Sequence, residues 1–340
     1  MSGGVDSTAS ALILSRRHRV EGFFMRLPHR RGAEQEERVR RLARNLDLPL
    51  HVIDLSEQFE EFVLSPFTAE YFSGKTPNPC MICNPTIKFG LLQDRVLAQG
   101  LAAMATGHYA RLVHDGPRPR LFRGADRRKD QSYFLSRLCA EQLARTLFPL
   151  GDQDKEETYR LVEEHGFSDF RGLESQDVCF LDPGELGDFL ARRYGADPAG
   201  GPIVDTSGRV LGRHRGLFRH TIGQRRGLGL AAPYPLYVIA LHPDTNTVVV
   251  GEERELYSDL VRVRDWHWLA GTPPPEGRLL TVCIRSTHKG AEAVLQPAEA
   301  GGGIRFSEPQ RAVTPGQYAV VYDGDELLGS AVIVGAATQP

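Results

Sequence analysis

Long hydrophobic runs are absent from this 340-residue chain, and a membrane-spanning helix, which needs about 20 apolar residues in a row, is excluded with them. Cysteine is scarce. Five thiols scattered over the length are too few for the disulfide framework of a small secreted domain, and no signal-peptide pattern is present. A reducing cytoplasm is therefore the expected compartment, and each cysteine reads as a buried thiol, a metal ligand or a reactive group. Charge of one sign is also lacking. Lys and Arg number 41 against 43 Asp and Glu, a net charge of −2, so nucleic-acid binding has to come from local basic patches. No internal repeat is visible.

What is present is ordinary globular composition, 41% hydrophobic and 25% charged, in a chain too long for one core. The first half alternates strand-like and helical patterns. Residues 20–27 and 50–55 read as buried strands, and 34–48 carries the amphipathic stripe Val39, Leu42, Ala43, Leu46. A helix is expected over 87–99 and a third strand over 101–106. This order predicts a parallel sheet faced by helices. A helix over 154–165 and a strand-like stretch over 178–181 follow. From about Gly200, glycine and proline punctuate short segments, with a hairpin predicted from 236–240 and 247–251. Past Trp268 the pattern is all-β, with strands at 279–285, 291–295, 303–306, 317–322 and 327–334 and a tight turn at Asp323-Gly324. The domains are placed at 1–187, 188–253 and 254–340.

The chain opens Met1-Ser2-Gly3-Gly4-Val5-Asp6-Ser7-Thr8, followed by an apolar stretch. Two glycines let the backbone turn tightly and bring its N–H groups to an anion. A helix starting at Ser7 and Thr8 would add partial positive charge, which suits a pyrophosphate. No Gly-Lys-Ser follows, so this is not a Walker A loop. Taken alone, such a string also serves as a flexible tail with a helix cap. Cys80 and Cys83 form a C-x-x-C; a zinc half-site would need two further ligands, and a thioredoxin-like pair would need another context. Cys179, between Val178 and Phe180, reads alone as a core thiol.

Context changes these readings. SGGVDS is the signature of the PP-loop ATP pyrophosphatases. TPNPC-x-x-CN (Thr76 to Asn84), ATGHYAR (Ala105 to Arg111), KDQSYFL (Lys129 to Leu135), SQDVCF (Ser175 to Phe180) and TIGQRRGLGL (Thr221 to Leu230) follow in order. Together they resemble the bacterial tRNA-specific 2-thiouridylases over nearly the whole chain. The fold implied is an α/β, parallel-sheet PP-loop (adenine nucleotide alpha hydrolase-like) domain, a small central domain and a C-terminal β-barrel.

The resemblance implies ATP-dependent 2-thiolation of the tRNA wobble uridine. The C2 oxygen is adenylated, sulfur arrives from a cysteine persulfide, and AMP leaves. ATP would be held by Ser2, Gly3, Gly4, Val5, Asp6, Ser7, Met25 and Gly107, with magnesium on its pyrophosphate and no metal bound by the protein alone. Cys83 matches the nucleophile, and Cys179 the persulfide carrier that forms a transient disulfide with Cys83. Asn78, Pro79 and Cys80 match the segment that meets the target base; some relatives carry Asp at the position of Cys80. Lys129, Asp130 and Gln131 match a tRNA-contacting strip, and Arg285-Ser286 a contact where relatives tend to have Arg-Tyr. The implied partners are tRNA and a persulfide-donating sulfur-relay protein, with no membrane.

Arg213-His214-Arg215, Arg219-His220 and Arg225-Arg226 suit phosphate contacts. Arg38, Arg40, Arg41 and Arg44 read as a solvent face. A phosphate loop should hang from a buried strand, and none stands ahead of Met1, so the polypeptide is expected to start upstream or ATP binding to suffer. Two other functions compete. A PP-loop amide ligase would leave the cysteines without a role. A non-catalytic tRNA-binding relative is disfavoured by the intact SGGVDS and cysteines.

Overall fold

The computed structural model describes residues 1–28, 31–116, 118–167, 170, 179–181, 184–195, 200–298 and 301–337. Helix α1 (Val5–Ser15) follows the glycine loop directly. Strand β1 (Gly22–Arg26) is linked through helix α2 (Gly32–Asn45) to β2 (Leu50–Asp54), which lies parallel to β1 in the register Gly22↔Leu50 to Arg26↔Asp54. This βαβ unit is the one the hydrophobic periodicity predicts. Val39, Leu42 and Ala43 are buried, Arg41 and Arg44 are exposed as expected and Arg40 pairs with Glu36 at 2.6 Å, whereas Arg38 is half-buried and lies 5.3 Å over the Phe170 ring instead of facing solvent.

The expected third strand is shorter than predicted, only β3 (Met104–Ala105). A hairpin of β4 (Ala110–Val113) and β5 (Arg120–Arg123) comes next, and then β6 (Thr146–Leu147), parallel to β3. Among the described residues, the pair β1–β2 and the pair β3–β6 are not hydrogen-bonded to one another. The amino group of Met1 donates to the Phe23 carbonyl of β1. The strand-like reading of 178–181 needs correction where it can be checked. Val178 lies outside the described residues, Cys179 and Phe180 form a turn, and Leu181 a bend. An aromatic plug holds this stretch in place of a ladder: the Phe180 ring lies 5.7 Å from Phe59, 5.6 Å from Phe67 and 5.8 Å from Phe189.

The central unit is a four-stranded sheet of β7 (Pro202–Asp205), β8 (Val210–Arg213), β9 (Tyr237–His242) and β10 (Thr247–Gly251), in the order β8-β7-β10-β9. The predicted hairpin is β9–β10, with Asn246 at φ 49° in its turn. Ile203, Val238, Val248 and Val250 fill its core.

The last unit is a closed barrel of β11 (Tyr257–Trp268), β12 (Leu279–Cys283), β13 (Ala291–Ala298), β14 (Gly301–Arg311), β15 (Tyr318–Asp323) and β16 (Glu326–Ala336). Neighbours run β11-β14-β13-β12-β15-β16, and β11 closes onto β16. Closure gives each of these strands a neighbour on both sides. The turn at Asp323-Gly324 joins β15 to β16, with Gly324 at φ 57°. Strand β11 begins well before Trp268, earlier than the sequence pattern indicates.

The barrel is not a separate body. Hairpin β4–β5 extends its sheet through Glu326↔Phe122. The segment Ser132–Leu135 inserts between the barrel and the nucleotide-type domain. Tyr133 donates to the Tyr318 carbonyl at 3.0 Å, Ser132 Oγ meets Tyr322 Oη at 3.1 Å, and Leu135 and Leu138 share one core with Tyr318, Val320 and Leu327. Leu135→Ala is expected to cost about 2–5 kcal/mol, as large-to-small changes in packed cores do. It should lower the denaturant midpoint of the nucleotide-type domain and the barrel together. Two separate transitions with only one affected would show that the shared core does not couple them.

Candidate active site

Glycine backbone freedom shapes the first loop. Gly3 sits at φ 80°, a region that L side chains avoid, and a Cβ there would approach Val39 Cγ2 to 3.1 Å. Gly4 caps α1 in extended conformation, and Val5 to Ser7 form the first helical turn. The turn's N–H groups lack helical partners by construction, and the helix dipole adds positive potential there. Ser7 Oγ donates to Gly4 O at 3.0 Å and Thr8 Oγ1 to the same carbonyl at 3.1 Å, so the loop is braced from within.

A second segment packs on this loop. A Cβ on Gly107 would lie 2.8 Å from the carbonyl carbon of Asp6, so only glycine lets the turn after β3 come so close. Asp6 Oδ1 accepts from Tyr109 Oη at 3.0 Å and from Lys155 Nζ at 2.6 Å, and Tyr109 Oη lies 2.9 Å from Thr158 Oγ1. Lys155 opens the helix Lys155–Glu164, capped by Asp154 and Glu157, and its ammonium lies 5.4 Å from the Tyr109 ring. Lys155 is not legible in the sequence as a site residue. Only the Asp154-x-x-Glu157 capping box marks where its helix begins. Met25 is half-buried near the C-terminal end of β1 and packs against the main core.

The cysteine helix begins beside Asn78, whose Oδ1 accepts from the Cys80 N–H at 3.1 Å. Cys80–Cys83 is one α-helical turn. It runs into a π-helical stretch, Asn84–Leu92, then into Gln93–Leu97. The helix therefore starts earlier than the predicted 87–99. Asn84 Nδ2 donates to Phe134 O at 2.8 Å, tying the helix to the Lys129–Leu135 motif. Cys83 is buried, Cys80 half-buried and Cys179 exposed on its turn. All three thiols lie within electrostatic reach of one another. Burial pushes Cys80 up to about 11 and Cys83 up to about 12; Cys179 raises both, and Lys88 acts against the rise. Cys179 reaches solvent, yet its dense surroundings raise its thiol as well, again against Lys88. Of the SQDVCF motif, residues 175–178 lie outside the described residues.

The predicted RNA strip is partly engaged inside the fold. Asp130 Oδ1 accepts from the N–H groups of Gly124 and Ser132, each at 3.0 Å, and its Oδ2 faces Arg123 Nη1 at 3.4 Å. Gln131 Oε1 accepts from the Tyr109 N–H at 3.2 Å. Lys129 is half-buried. Pro79 is buried, Ser286 exposed, and Arg285 donates to Arg311 O at 3.1 Å. In the central stretch Arg213, Arg215, Arg219, Arg225 and Arg226 are exposed, whereas His214 and His220 are buried. His214 is a structural residue there: Nε2 meets Asn246 O at 2.9 Å and Nδ1 accepts from the Gly216 N–H at 3.1 Å.

His108 packs against the Phe89 and Phe148 rings, 5.8 and 5.7 Å away, its Nδ1 2.7 Å from Thr106 Oγ1. Burial, with Lys88 adding to it, holds the ring well below its ordinary 6.5. The unfolded chain takes up a proton near that pH and the folded chain does not, so stability is full above it and falls as pH drops below it. The thermal midpoint is expected to decline from pH 6.5 downward, and His108→Asn to flatten that decline. An unchanged slope in the variant would place the acid sensitivity elsewhere.

Three family profiles match the chain in succession: a tRNA methyl transferase HUP domain over residues 1–183, a tRNA methyl transferase PRC-barrel domain over 187–252, and an aminomethyltransferase beta-barrel domain over 258–333. They correspond to the parallel-sheet domain, the central sheet and the closed barrel. The tRNA-specific 2-thiouridylase MnmA of Desulfotalea psychrophila is 49% identical over 335 residues, covering 98% of this chain and 97% of its own. Its counterpart from Syntrophotalea carbinolica is 44% identical, covering 97% and 96%. That from Moorella thermoacetica is 42% identical, covering 99% of each. With full-length similarity at this level, the chain belongs to the tRNA-specific 2-thiouridylase family.

Proposed function

We propose that the chain is an ATP-dependent tRNA uridine 2-sulfurtransferase acting on the wobble uridine. The observation that carries this reading is the gathering of Cys83 and Cys179, remote in sequence, within electrostatic reach of each other. The family descriptions speak of methyl transfer and the relatives of thiolation; a cluster of thiols is the chemistry of the second.

Residues 1–187 bind ATP and carry the reaction, and 188–253 and 254–340 hold the tRNA. Ser2 to Ser7 and Gly107 cradle the triphosphate, with Met25 beside the nucleotide. Magnesium comes with the phosphate oxygens that it prefers as ligands. Adenylation makes the C2 oxygen of uridine a leaving group. The terminal sulfur of a persulfide on Cys179, delivered by a sulfur-relay protein, attacks C2 and AMP departs. Cys83 then attacks Cys179 Sγ; the sulfur–sulfur bond to the substrate breaks, 2-thiouridine is released, and a Cys83–Cys179 disulfide is left for a thiol reductant to open. Asn78, Pro79 and Cys80, at the head of the cysteine helix, face the base, which must leave its stack to be reached. Lys129 and Arg285-Ser286 contact the tRNA, and Asp130 and Gln131 position Lys129 by their internal bonds.

Cys83→Ser and Cys179→Ser are each expected to abolish 2-thiouridine formation, measured by mass spectrometry of tRNA nucleosides, while leaving tRNA binding nearly intact; Cys80→Ser should be milder. Near-normal thiolation in either of the first two variants would remove that residue from the mechanism.

Binding should also be salt-sensitive. Lys129→Ala and Arg225→Ala each take one cation away from the tRNA backbone, and each should flatten the slope of log K against log salt by about 0.7–0.9. Slopes unchanged in the double variant would take both residues out of the RNA interface.

A further inference from the structure

Cations that leave water in this protein are generally paired. Lys155 meets Asp6 at 2.6 Å, Lys75 meets Glu70 at 2.9 Å, Arg123 faces Asp130 at 3.4 Å and Arg193 pairs with Glu60. Lys88 differs. It is half-buried, and among the described residues its ammonium makes no hydrogen bond or ion pair. A cation held partly out of water without a counter-charge costs free energy, so an anion is expected to complete the site.

Local backbone geometry says where that ammonium points. Lys88 lies five residues after Cys83. In an α-helix five residues carry a side chain about 140° away from its starting face. Here the intervening stretch, Asn84–Leu92, is π-helical, and its i→i+5 bonding widens the turn, so residues five apart lie closer to one face than in an α-helix. The widened turn rotates Lys88 toward the face of Cys83, within electrostatic reach of its thiol. The titratable groups it influences from the neighbouring elements are Cys80 and Cys83 on its own helix, Cys179 on the facing turn, His108 after β3, and the Met1 amine. His108 is kept neutral, and among the described residues no carboxylate is one of them.

We propose, resting on the sulfur-transfer reading above, that Lys88 is the positioning cation of the sulfur site, its ammonium serving as counter-ion to the anionic sulfur carried on Cys179 and to the Cys83 thiolate. The direction of its influence agrees: burial raises all three thiols, and Lys88 is the charge that opposes the rise at each. A lysine suits this place because its compact charge sits on a flexible stem that can follow a sulfur atom shifting between two cysteines. The phosphates of a bound nucleotide are the other anions that could complete it, and the test separates the two.

The test is the pH dependence of iodoacetamide alkylation at Cys83 and Cys179 in the full chain without ATP or tRNA, read by peptide mass mapping. Lys88→Met is expected to move both midpoints up by about one pH unit and to slow alkylation near neutral pH about tenfold. Lys88→Arg, which keeps the charge, should stay close to wild type. Lys88→Gln carries the same expectation as Lys88→Met and covers the case in which the apolar chain upsets the helix. Folded neutral variants with unchanged thiol midpoints overturn the proposal, and weakened ATP binding in those same variants would assign Lys88 to phosphate instead. Alkylation needs no tRNA, so its outcome stands apart from that of the thiolation reading. Wild-type protein that forms no 2-thiouridine would sink the latter and leave the former to be judged on its own.

Discussion

The carboxylate of Asp6 joins three segments far apart in sequence, and the geometry of the site depends on that junction. Asp6 lies in the first turn of α1, where its charge favours the helix N-terminus. Its oxygen accepts from Tyr109, on the segment after β3, and from Lys155, at the start of another helix. Gly107 lies flat against its backbone. The direction of the N–H groups in the glycine loop is thereby fixed from the side by a half-buried ion pair and a phenol. Such a pair is costly to assemble in low dielectric but specific once made, and specificity of orientation is what an anion cradle needs.

The same logic governs the join between the nucleotide-type domain and the barrel. Arg120 forks onto Glu326 at 2.9 and 2.7 Å, and Arg111 reaches Asp325 at 3.0 Å. The Arg123 guanidinium lies 3.6 Å from the Tyr322 ring centroid. Asp130 gathers the N–H groups that turn the chain from β5 into the Ser132–Leu135 segment. These charges hold the barrel in one orientation to the thiols, so any RNA gripped by the barrel and the exposed arginines of the central sheet is presented to the cysteine helix at a fixed angle.

The parts of this arrangement that are legible in the sequence are those set by local chemistry. SGGVDS announces its loop because only glycine fits at Gly3, and the stripe Val39, Leu42, Ala43 announces α2 because helical period and burial coincide there. The closing turn at Asp323-Gly324 is visible for the same reason. Hairpin β4–β5 is not legible, since its two strands are short and the pairing that joins them to the barrel, Phe122 with Glu326, reaches to the far end of the chain. Asp130 stands out within its motif but points the wrong way: sequence shows that an acid is required, not that its oxygens are consumed by backbone donors. Lys88 escapes notice because its place among the thiols depends on a π-helical register that no residue pattern signals.

Burial of the thiols bears directly on how sulfur transfer would be controlled. With Cys83 pushed up to about 12 and Cys80 to about 11, almost none of either is ionised at neutral pH, and an unloaded site is a poor nucleophile. A persulfide is more acidic than the thiol that bears it, so under the proposed mechanism loading Cys179 would create an anion at a residue whose surroundings raise its own thiol. The exposed turn at Cys179 leaves that sulfur open to a donor, while Cys83 stays covered on its helix. Attack by Cys83 then requires its proton to leave, and the site favours that loss only when positive charge stands close by. In the proposed mechanism, access for the donor and suppression of idle thiolate would both arise from one structural asymmetry, an exposed thiol facing a buried one. The helix that supplies the buried partner also supplies the cation.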